Sequence, residues 1–252
     1  MISKYILHIP HDSTDIPAAY RDDLLLSDKE LARELLYMTD MYTDDLYQLD
    51  GAERLRFPVS RLILDPERFD DDAQEPMAAR GMGVIYTITS QLGELREKPS
   101  NTKRKELLDR YYYPHHKALT DMVDAAVAAH GECLIFDCHS FPGTALPYEL
   151  KGPDEYRPEF CIGSDGFHTP PELTKGLLGF FEGKGYTVGE NIPFGGALTP
   201  LKYSGVDKRV KSVMFEIRRD LYMDQDTGEK TPRYSQIKQD VCDAMEMAKK
   251  YI

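Results

Sequence analysis

The sequence predicts an α/β fold with a largely parallel sheet in a single domain, and two observations support this prediction. Short apolar runs typical of buried strands alternate along the 252 residues with longer segments whose apolar residues recur at helical spacing. The chain also contains no internal repeat, low-complexity stretch or linker-like segment. We therefore expect a single domain that spans residues 1–252.

In the first half of the chain, the pattern predicts three strands and two helices. The strands are the apolar runs 4–9, 55–59 and 61–64. Ser27 and Glu30 have the spacing of a capping box and are expected to begin the first helix, and a stripe of apolar residues predicts a long second helix from about 101 to 129. The acidic segment 67–83, which contains Gly and Pro, is expected to be a surface loop.

The second half repeats the alternation. We expect strands at 133–136, 159–163, 186–188 and 212–217, helices at 170–184 and 233–251, and loops at 143–158 and 191–205.

Composition excludes several classes of partner. The formal net charge of −12 and the isoelectric point of about 5.1 argue against nucleic acid and anionic membranes. No apolar run approaches the length of a membrane span, and the N-terminus lacks a signal-peptide pattern. The cysteines are scattered without a Cys-x-x-Cys motif and are expected to be reduced thiols of a cytoplasmic protein: Cys133, Cys138, Cys161 and Cys242.

Two predicted strands deliver a histidine at their carboxyl ends. His139 follows the run 133–136, and His11 follows the first strand. Open α/β sheets place their chemistry at this edge, and zinc prefers His nitrogen together with carboxylate oxygen. Asp137 lies two residues before His139, so alternation puts both side chains on one face, where the carboxylate can hold the tautomer of a ligand histidine.

A third metal ligand is left open by the residues alone, with Asp12, Asp15, Asp40 and Asp44 as candidates. Asp40 lies among apolar and aromatic residues, where an unpaired carboxylate is costly and a bound cation would offset that cost. The alternative is a helix-surface aspartate.

Other candidates for chemistry are Glu216, Arg61, Arg68 and His116. Glu216 stands inside an apolar strand, so it is either paired with an arginine or has a raised pKa and acts as general base. Arg61 and Arg68 flank a strand-like run and can bind carboxylates in a bidentate fork. His116 is shifted by one position from an apolar helical stripe and could reach a cleft.

Together these pieces resemble the N-formylglutamate amidohydrolase family over about residues 5–225. The pieces, in chain order, are Pro10-His11, Thr39-Asp40-Met-Tyr42, Ser60-Arg61, Asp65-Pro-Glu-Arg68, Tyr113-Pro-His-His116, Phe136-Asp-Cys-His-Ser140, Phe194-Gly-Gly196, Phe215-Glu-Ile217 and Leu221-Tyr-Met223. Three positions depart from the usual pattern of the family. Ser13 replaces Gly, Glu67 replaces Asn, and Ala197 stands where members often have His.

The resemblance implies a three-layer, zinc-carboxypeptidase-like sandwich with a mixed eight-stranded sheet and one Zn²⁺. It implies His11, Asp40 and His139 as metal ligands and Glu216 and Arg61 as catalytic residues. The substrate-binding residues expected with it are Arg68, His116, Gly195, Gly196 and Arg218.

The implied reaction is hydrolysis of a small acidic N-acyl amino acid, with N-formyl-L-glutamate as the family default, to formate and L-glutamate. One alternative is a carboxypeptidase- or aspartoacylase-like deacylase that acts on another N-acyl amino acid or on a peptide. The second alternative is a non-catalytic member that binds a metabolite. The departures at Ser13, Glu67 and Ala197 flank the expected pocket and leave the substrate open.

Overall fold

Six strands form one mixed sheet in the computed structural model, which describes residues 2–150, 152 and 154–252. They are β1 (Tyr5–Ile9), β2 (Glu53–Arg56), β3 (Cys133–Phe141), β4 (Phe160–Gly163), β5 (Val188–Glu190) and β6 (Val210–Arg218). The order across the sheet is β2-β1-β3-β6-β4-β5. The sheet is parallel except where β4 runs antiparallel to β6. The α/β class and the largely parallel sheet are therefore confirmed, but the expected eight strands are wrong for the described residues.

Seven α-helices accompany the sheet in the described chain: α1 (Ala18–Arg21), α2 (Asp28–Met38), α3 (Thr43–Leu46), α4 (Asn101–Leu107), α5 (Tyr113–His130), α6 (Pro171–Gly183) and α7 (Tyr234–Ala248). The predicted capping box is present, since the Ser27 side chain accepts a bond from the Glu30 amide and Glu30 accepts one from the Ser27 amide. A π-helical turn, Leu108–Tyr112, joins α4 to α5 within the predicted long helix. None of the described helices is long and apolar enough to cross a membrane.

The alternation of β3 places a core on each face of the sheet. Leu134 and Phe136 belong to a cluster that includes residues of α6 and α7. Cys133 and Ile135 belong to another that includes Leu119 of α5. Helices thus cover both faces, which is why every residue of β3 is buried.

Several predicted strands differ from the observed backbone, and the strand predicted at 55–59 is observed as β2 at Glu53–Arg56. The segment 61–64 is a turn, in which the Ile63 amide donates to the Ser60 carbonyl. Its apolar residues are buried in a satellite cluster, so hydrophobicity alone could not distinguish this turn from a strand. β5 begins two residues later than predicted. β3 continues to Phe141, because β6 pairs with all nine of its residues.

Candidate active site

A cavity of about 630 Å³ lies where the carboxyl ends of β1, β3 and β6 meet. His11 follows β1, His139 stands in β3, and Glu216 stands opposite His139 in β6. All three side chains line the cavity. Because these strands are parallel neighbours, the sheet itself brings together residues far apart in sequence. The expectation that the two strand-end histidines share one cleft agrees with this arrangement.

The two histidines face one carboxylate oxygen. Asp40 Oδ2 lies 3.3 Å from His139 Nδ1 and 3.7 Å from His11 Nδ1. Asp40 is buried rather than on a helix surface, and it also accepts a bond from the Ser140 amide at 3.2 Å. Burial raises the pKa of Asp40, but its contacts with His11 and His139 and the charge of Arg219 outweigh burial and lower it overall.

Two further carboxylates lie close to the opposite ring nitrogens. His11 Nε2 donates to Asp65 Oδ1 at 2.8 Å, and His139 Nε2 lies 3.1 Å from Asp137 Oδ1. Although burial raises the pKa of Asp65, the charge of Arg61 and the contact with His11 lower it overall. This arrangement fixes ring orientation and leaves the Nδ1 atoms directed towards Asp40.

Asp137 also connects the cavity to a buried histidine pair. Its Oδ1 lies 2.7 Å from His8 Nδ1, and His8 Nε2 lies 2.8 Å from His115 Nε2. Burial and the neighbouring His8 lower the pKa of His115 to about 2, so the imidazole of His115 stays neutral.

Glu67 reaches the same histidines from the other side. Its Oε1 lies 3.3 Å from His139 Nε2, and its Oε2 lies 3.7 Å from His11 Nε2. His11, Glu67 and His139 each offer a ligand atom within 4.8 Å of the others, and so do His8, Glu67 and Asp137. Both nitrogens of His8 already take part in hydrogen bonds, so the first group is the better candidate.

The donor set fits a zinc ion. Two imidazoles and a carboxylate are ligands that zinc prefers in hydrolytic sites. Within the described residues, His11 Nδ1, His139 Nε2 and Glu67 Oε1 are buried without a hydrogen-bond partner. Burial lowers the pKa of His139, but Glu67 and Asp137 more than offset that effect and raise it. The same excess of negative charge would attract a cation, and Asp40 and Glu67 both remain candidates for the third ligand.

Asp12, Asp15 and Asp44 do not line the cavity. Asp12 Oδ2 instead accepts a bond from Arg56 Nε at 2.5 Å, and Asp44 lies 3.8 Å from the same guanidinium. Asp15 is exposed.

Glu216 is buried in the cavity wall without an ion pair among the described residues. Its Oε2 has no hydrogen-bond partner. Burial raises the pKa of Glu216 to about 8, and the charge of His139 only partly opposes the effect. The sequence left two hypotheses for Glu216, an ion pair with an arginine or a raised pKa. The geometry agrees with the raised pKa.

Three arginines line the cavity: Arg61, Arg68 and Arg219. Arg61 Nη2 donates to Asp65 Oδ2 at 2.7 Å, and its Nε donates to the Tyr86 hydroxyl at 3.1 Å. Arg68 Nε is 4.0 Å from Asp65 Oδ2 and makes no hydrogen bond. Arg219 Nη2 donates to Asp40 Oδ1 at 2.8 Å.

Arg218 and His116 lie outside this cavity lining. Arg218 Nε donates to Asp220 Oδ1 at 2.7 Å, and its Nη1 donates to the Arg157 carbonyl. Arg219, the next residue, begins a 3₁₀ turn and reaches Asp40 in its place. His116 Nε2 donates to the Pro66 carbonyl at 2.8 Å, which braces the loop that carries Glu67.

Gly195 and Gly196 line the cavity, as expected. Gly196 has φ of 90°, a left-handed conformation that glycine adopts without strain, and its amide donates to Asn191 Oδ1. Ala197 and Leu198 continue this wall.

Sequence reasoning missed Asp65, Glu67, Tyr86 and Arg219. Asp65 and Glu67 belong to the motif Asp65-Pro-Glu-Arg68, but neither was identified as a site residue. An acidic pair beside Arg61 and Arg68 could have indicated a charge network. Tyr86 lies in a segment with no motif, and its hydroxyl donates to Asp65 Oδ2.

Comparisons with known proteins found a matching family model and solved structures of similar fold. Residues 3–223 match the family model described as N-formylglutamate amidohydrolase. A crystal structure of N-formylglutamate amidohydrolase from Ralstonia eutropha JMP134 is similar, with a TM-score of 0.84 and 24% identity over 98% of this chain and 93% of that one. A gene product from Agrobacterium tumefaciens has a TM-score of 0.70 and 20% identity over 98% of this chain and 91% of that one. These two likenesses concern the fold, and no curated protein matches the chain.

Proposed function

The chain belongs to the N-formylglutamate amidohydrolase family, and we propose that it hydrolyses the amide bond of a small N-acyl amino acid with the help of a zinc ion. One observation carries the proposal. A buried carboxyl group without an ion pair, Glu216, shares a cavity with two histidines whose Nδ1 atoms face the Asp40 carboxylate. This is the combination of base and ligands that metal-assisted hydrolysis requires.

The ion would be held by His11, His139 and Asp40, with Glu67 as the alternative to Asp40. Bound zinc would polarise the amide carbonyl, make water a stronger acid and, through its charge, favour the ionised form of Glu216. Asp65 keeps the imidazole of His11 in the tautomer that presents Nδ1, and Asp137 lies beside Nε2 of His139.

Glu216 acts as the general base. Its carboxylate takes a proton from the attacking water and returns it to the nitrogen of the leaving amine. Its position on β6, opposite His139 on β3, keeps it beside the histidines without a loop having to order first.

Arg61 stabilises the oxyanion that forms when water adds to the amide carbonyl. Its Nε and Nη2 are held by Tyr86 and Asp65, so the guanidinium is fixed while Nη1 takes no part in those bonds. A preorganised donor of this kind is typically worth about 10²- to 10³-fold in turnover. Arg68 binds the substrate carboxylate, and the Gly195-Gly196 loop lines the pocket.

N-formyl-L-glutamate is the family's default substrate, with formate and L-glutamate as products. The near alternative is a deacylase of another N-acyl amino acid or of a peptide, which the departures at Glu67 and Ala197 favour because both residues line the cavity. A non-catalytic, metabolite-binding member is the alternative of another class. The buried Glu216 argues against it, because binding a metal for structure alone needs no base.

The test combines metal analysis with an activity screen. The purified protein is stripped with a chelator, reloaded with zinc and assayed for release of the acid or free amine from N-formyl, N-acetyl and dipeptide substrates. We expect one zinc per chain and activity that is lost on stripping and restored by zinc. A protein that binds no zinc, or binds zinc and the substrates without turnover, contradicts the proposal.

A further inference from the structure

We propose that the cavity selects an N-acyl amino acid with a single carboxylate and an uncharged, largely apolar side chain. The inference rests on the proposed amide hydrolysis and narrows its substrate. It is based on two observations: the hydrogen bonds that already engage the arginines of the cavity, and the apolar side chains that line much of its wall.

Four of the five N–H groups of Arg219 are engaged by the protein, because its Nη2 also donates to the Ser140 carbonyl at 3.2 Å. Its Nε donates to Ser140 Oγ at 3.1 Å, its Nη1 donates to the Tyr37 carbonyl, and its Nη2 donates to Asp40 Oδ1 at 2.8 Å. The side chain is buried, with 4% of its surface exposed. Arg219 therefore supports Asp40, and its single remaining N–H group cannot form the bidentate fork that binds a carboxylate.

Arg61 is engaged in the same way by Asp65 and Tyr86 on two of its three nitrogens. Its remaining nitrogen is assigned to the oxyanion. Arg157, which approaches the cavity rim, is bound to both carboxylate oxygens of Glu149 at 2.7 and 3.4 Å. The charge of each guanidinium is already paired with a protein carboxylate, Asp65 for Arg61 and Glu149 for Arg157.

Arg68 alone among the described arginines of the cavity lacks a hydrogen bond from its side chain to the protein. Its nearest acidic atom, Asp65 Oδ2, is 4.0 Å away, and 24% of its side-chain surface is exposed. A half-buried guanidinium with free N–H groups is suited to bind one carboxylate in a bidentate fork. No lysine lines the cavity within the described part of the chain. The cavity thus provides one carboxylate site.

A second carboxylate would meet negative charge rather than a partner. Glu67 faces the cavity with a buried Oε1 that has no hydrogen-bond partner. Glu216 lines it as well. Transferring a further carboxylate from water to this wall carries a desolvation cost that no free cation offsets.

Much of the remaining wall is apolar. It includes Met38, Phe69, Met77, Phe141, Leu146 and Phe194. The volume of about 630 Å³ falls in the range of pockets that enclose drug-sized ligands, and it leaves room beyond a small formylated dicarboxylate. An apolar side chain would bury surface against this wall and gain about 25 cal/mol per Å².

The test compares kcat/KM of the zinc-loaded enzyme for three N-formyl amino acids that share an α-carboxylate. N-formyl-L-glutamate and N-formyl-L-glutamine have nearly the same shape and differ in side-chain charge, and N-formyl-L-methionine adds an apolar side chain. We expect methionine first, glutamine second and glutamate last, with at least about a tenfold difference between the two isosteres. A glutamate derivative hydrolysed as well as or better than the glutamine derivative overturns the inference and leaves the proposed hydrolysis intact.

If none of the three compounds is hydrolysed, the proposed function fails while the selectivity remains testable by calorimetric binding of the same compounds, with the same order expected. Arg68→Met assigns the carboxylate site. We expect it to raise KM, or Kd, for the glutamate and glutamine derivatives by a similar factor of about ten or more, because both present only the α-carboxylate to Arg68. A loss confined to the glutamate derivative contradicts the assignment. Arg209→Met, at an exposed arginine paired with Asp207, is the matched control and should change neither value.

Discussion

The cavity has two walls that are held in different ways. The strand wall consists of His11, Asp137, His139 and Glu216, which stand in or directly after β1, β3 and β6. The loop wall consists of Arg61, Glu67 and Arg68, which lie in the irregular segment after β2 and are supported from behind by the buried Asp65. The register of the sheet positions the strand wall, whereas the loop wall depends on side-chain bonds.

Asp65 supports the loop wall from behind. It is fully buried and receives bonds from His11 Nε2, Arg61 Nη2, the Tyr86 hydroxyl and the Glu67 amide. One carboxylate therefore fixes an oxyanion donor, a metal-ligand candidate and the backbone beside Glu67. Substitutions on the strand wall should therefore affect one function each, whereas a substitution at Asp65 should affect several.

The largest effect is expected at Glu216. We expect Glu216→Gln to keep zinc at one ion per chain and to lower kcat about 100- to 10,000-fold, since the proton acceptor is lost while the ligands remain. Metal analysis and steady-state kinetics on the same preparation measure both quantities. Turnover near that of the wild type would remove Glu216 from the mechanism.

The third metal ligand is either Asp40 or Glu67, and only Glu67 belongs to the loop wall. Asp40→Asn should weaken zinc binding by more than about 100-fold, because Oδ2 faces both Nδ1 atoms. Glu67→Gln should weaken it by less than about tenfold, since His11 Nε2, which Glu67 approaches, is already hydrogen-bonded to Asp65. Competition with a chromogenic chelator gives the two affinities, and thermal melting shows whether each variant is folded. The reverse order would make Glu67 the ligand.

An intermediate and composite effect is expected at Asp65. Asp65→Asn should lower zinc affinity about 10- to 100-fold and reduce kcat as well, because the bonds to His11 and Arg61 weaken together. Asp121→Asn, at an exposed residue paired with Lys117, serves as the matched control. A change in zinc affinity without any change in kcat would mean that Asp65 does not position Arg61 for catalysis, and would contradict a joint role of Asp65 in both functions.

The smallest effect concerns the pH dependence of stability in zinc-free protein. The pKa of Glu216 is raised from its ordinary 4.5 to about 8 in the fold. Since the folded state prefers the protonated form, the carboxylate costs no stability below 4.5, and the cost grows as pH rises to 8. Glu216→Gln should therefore gain stability over the wild type between pH 5 and 8, by on the order of a few kcal/mol. Denaturant unfolding at the two pH values measures the difference, and a pH-independent gap would contradict the shift.

The same division explains what could be predicted from sequence. Apolar runs that end in His or Glu marked the strand wall, because hydrophobic patterning and parallel topology are local signals with a spatial consequence. In the loop wall, Arg61 and Arg68 were candidates from the sequence, but the Asp65 network that holds Arg61 could not be predicted, since it depends on Tyr86 and on backbone turns that leave no periodic pattern. The sequence also could not show which of Arg218 and Arg219 faces the cavity, because a turn at the end of β6 decides this.

Burial of β3 has a further consequence for the lifetime of the site. All nine residues of this strand are buried, and it is paired on both sides, by β1 and β6. Such a strand exchanges its amide hydrogens only through the largest openings of a protein. The histidine it carries should therefore keep its place when the ion is removed, so that chelation and reloading can be repeated without a refolding step.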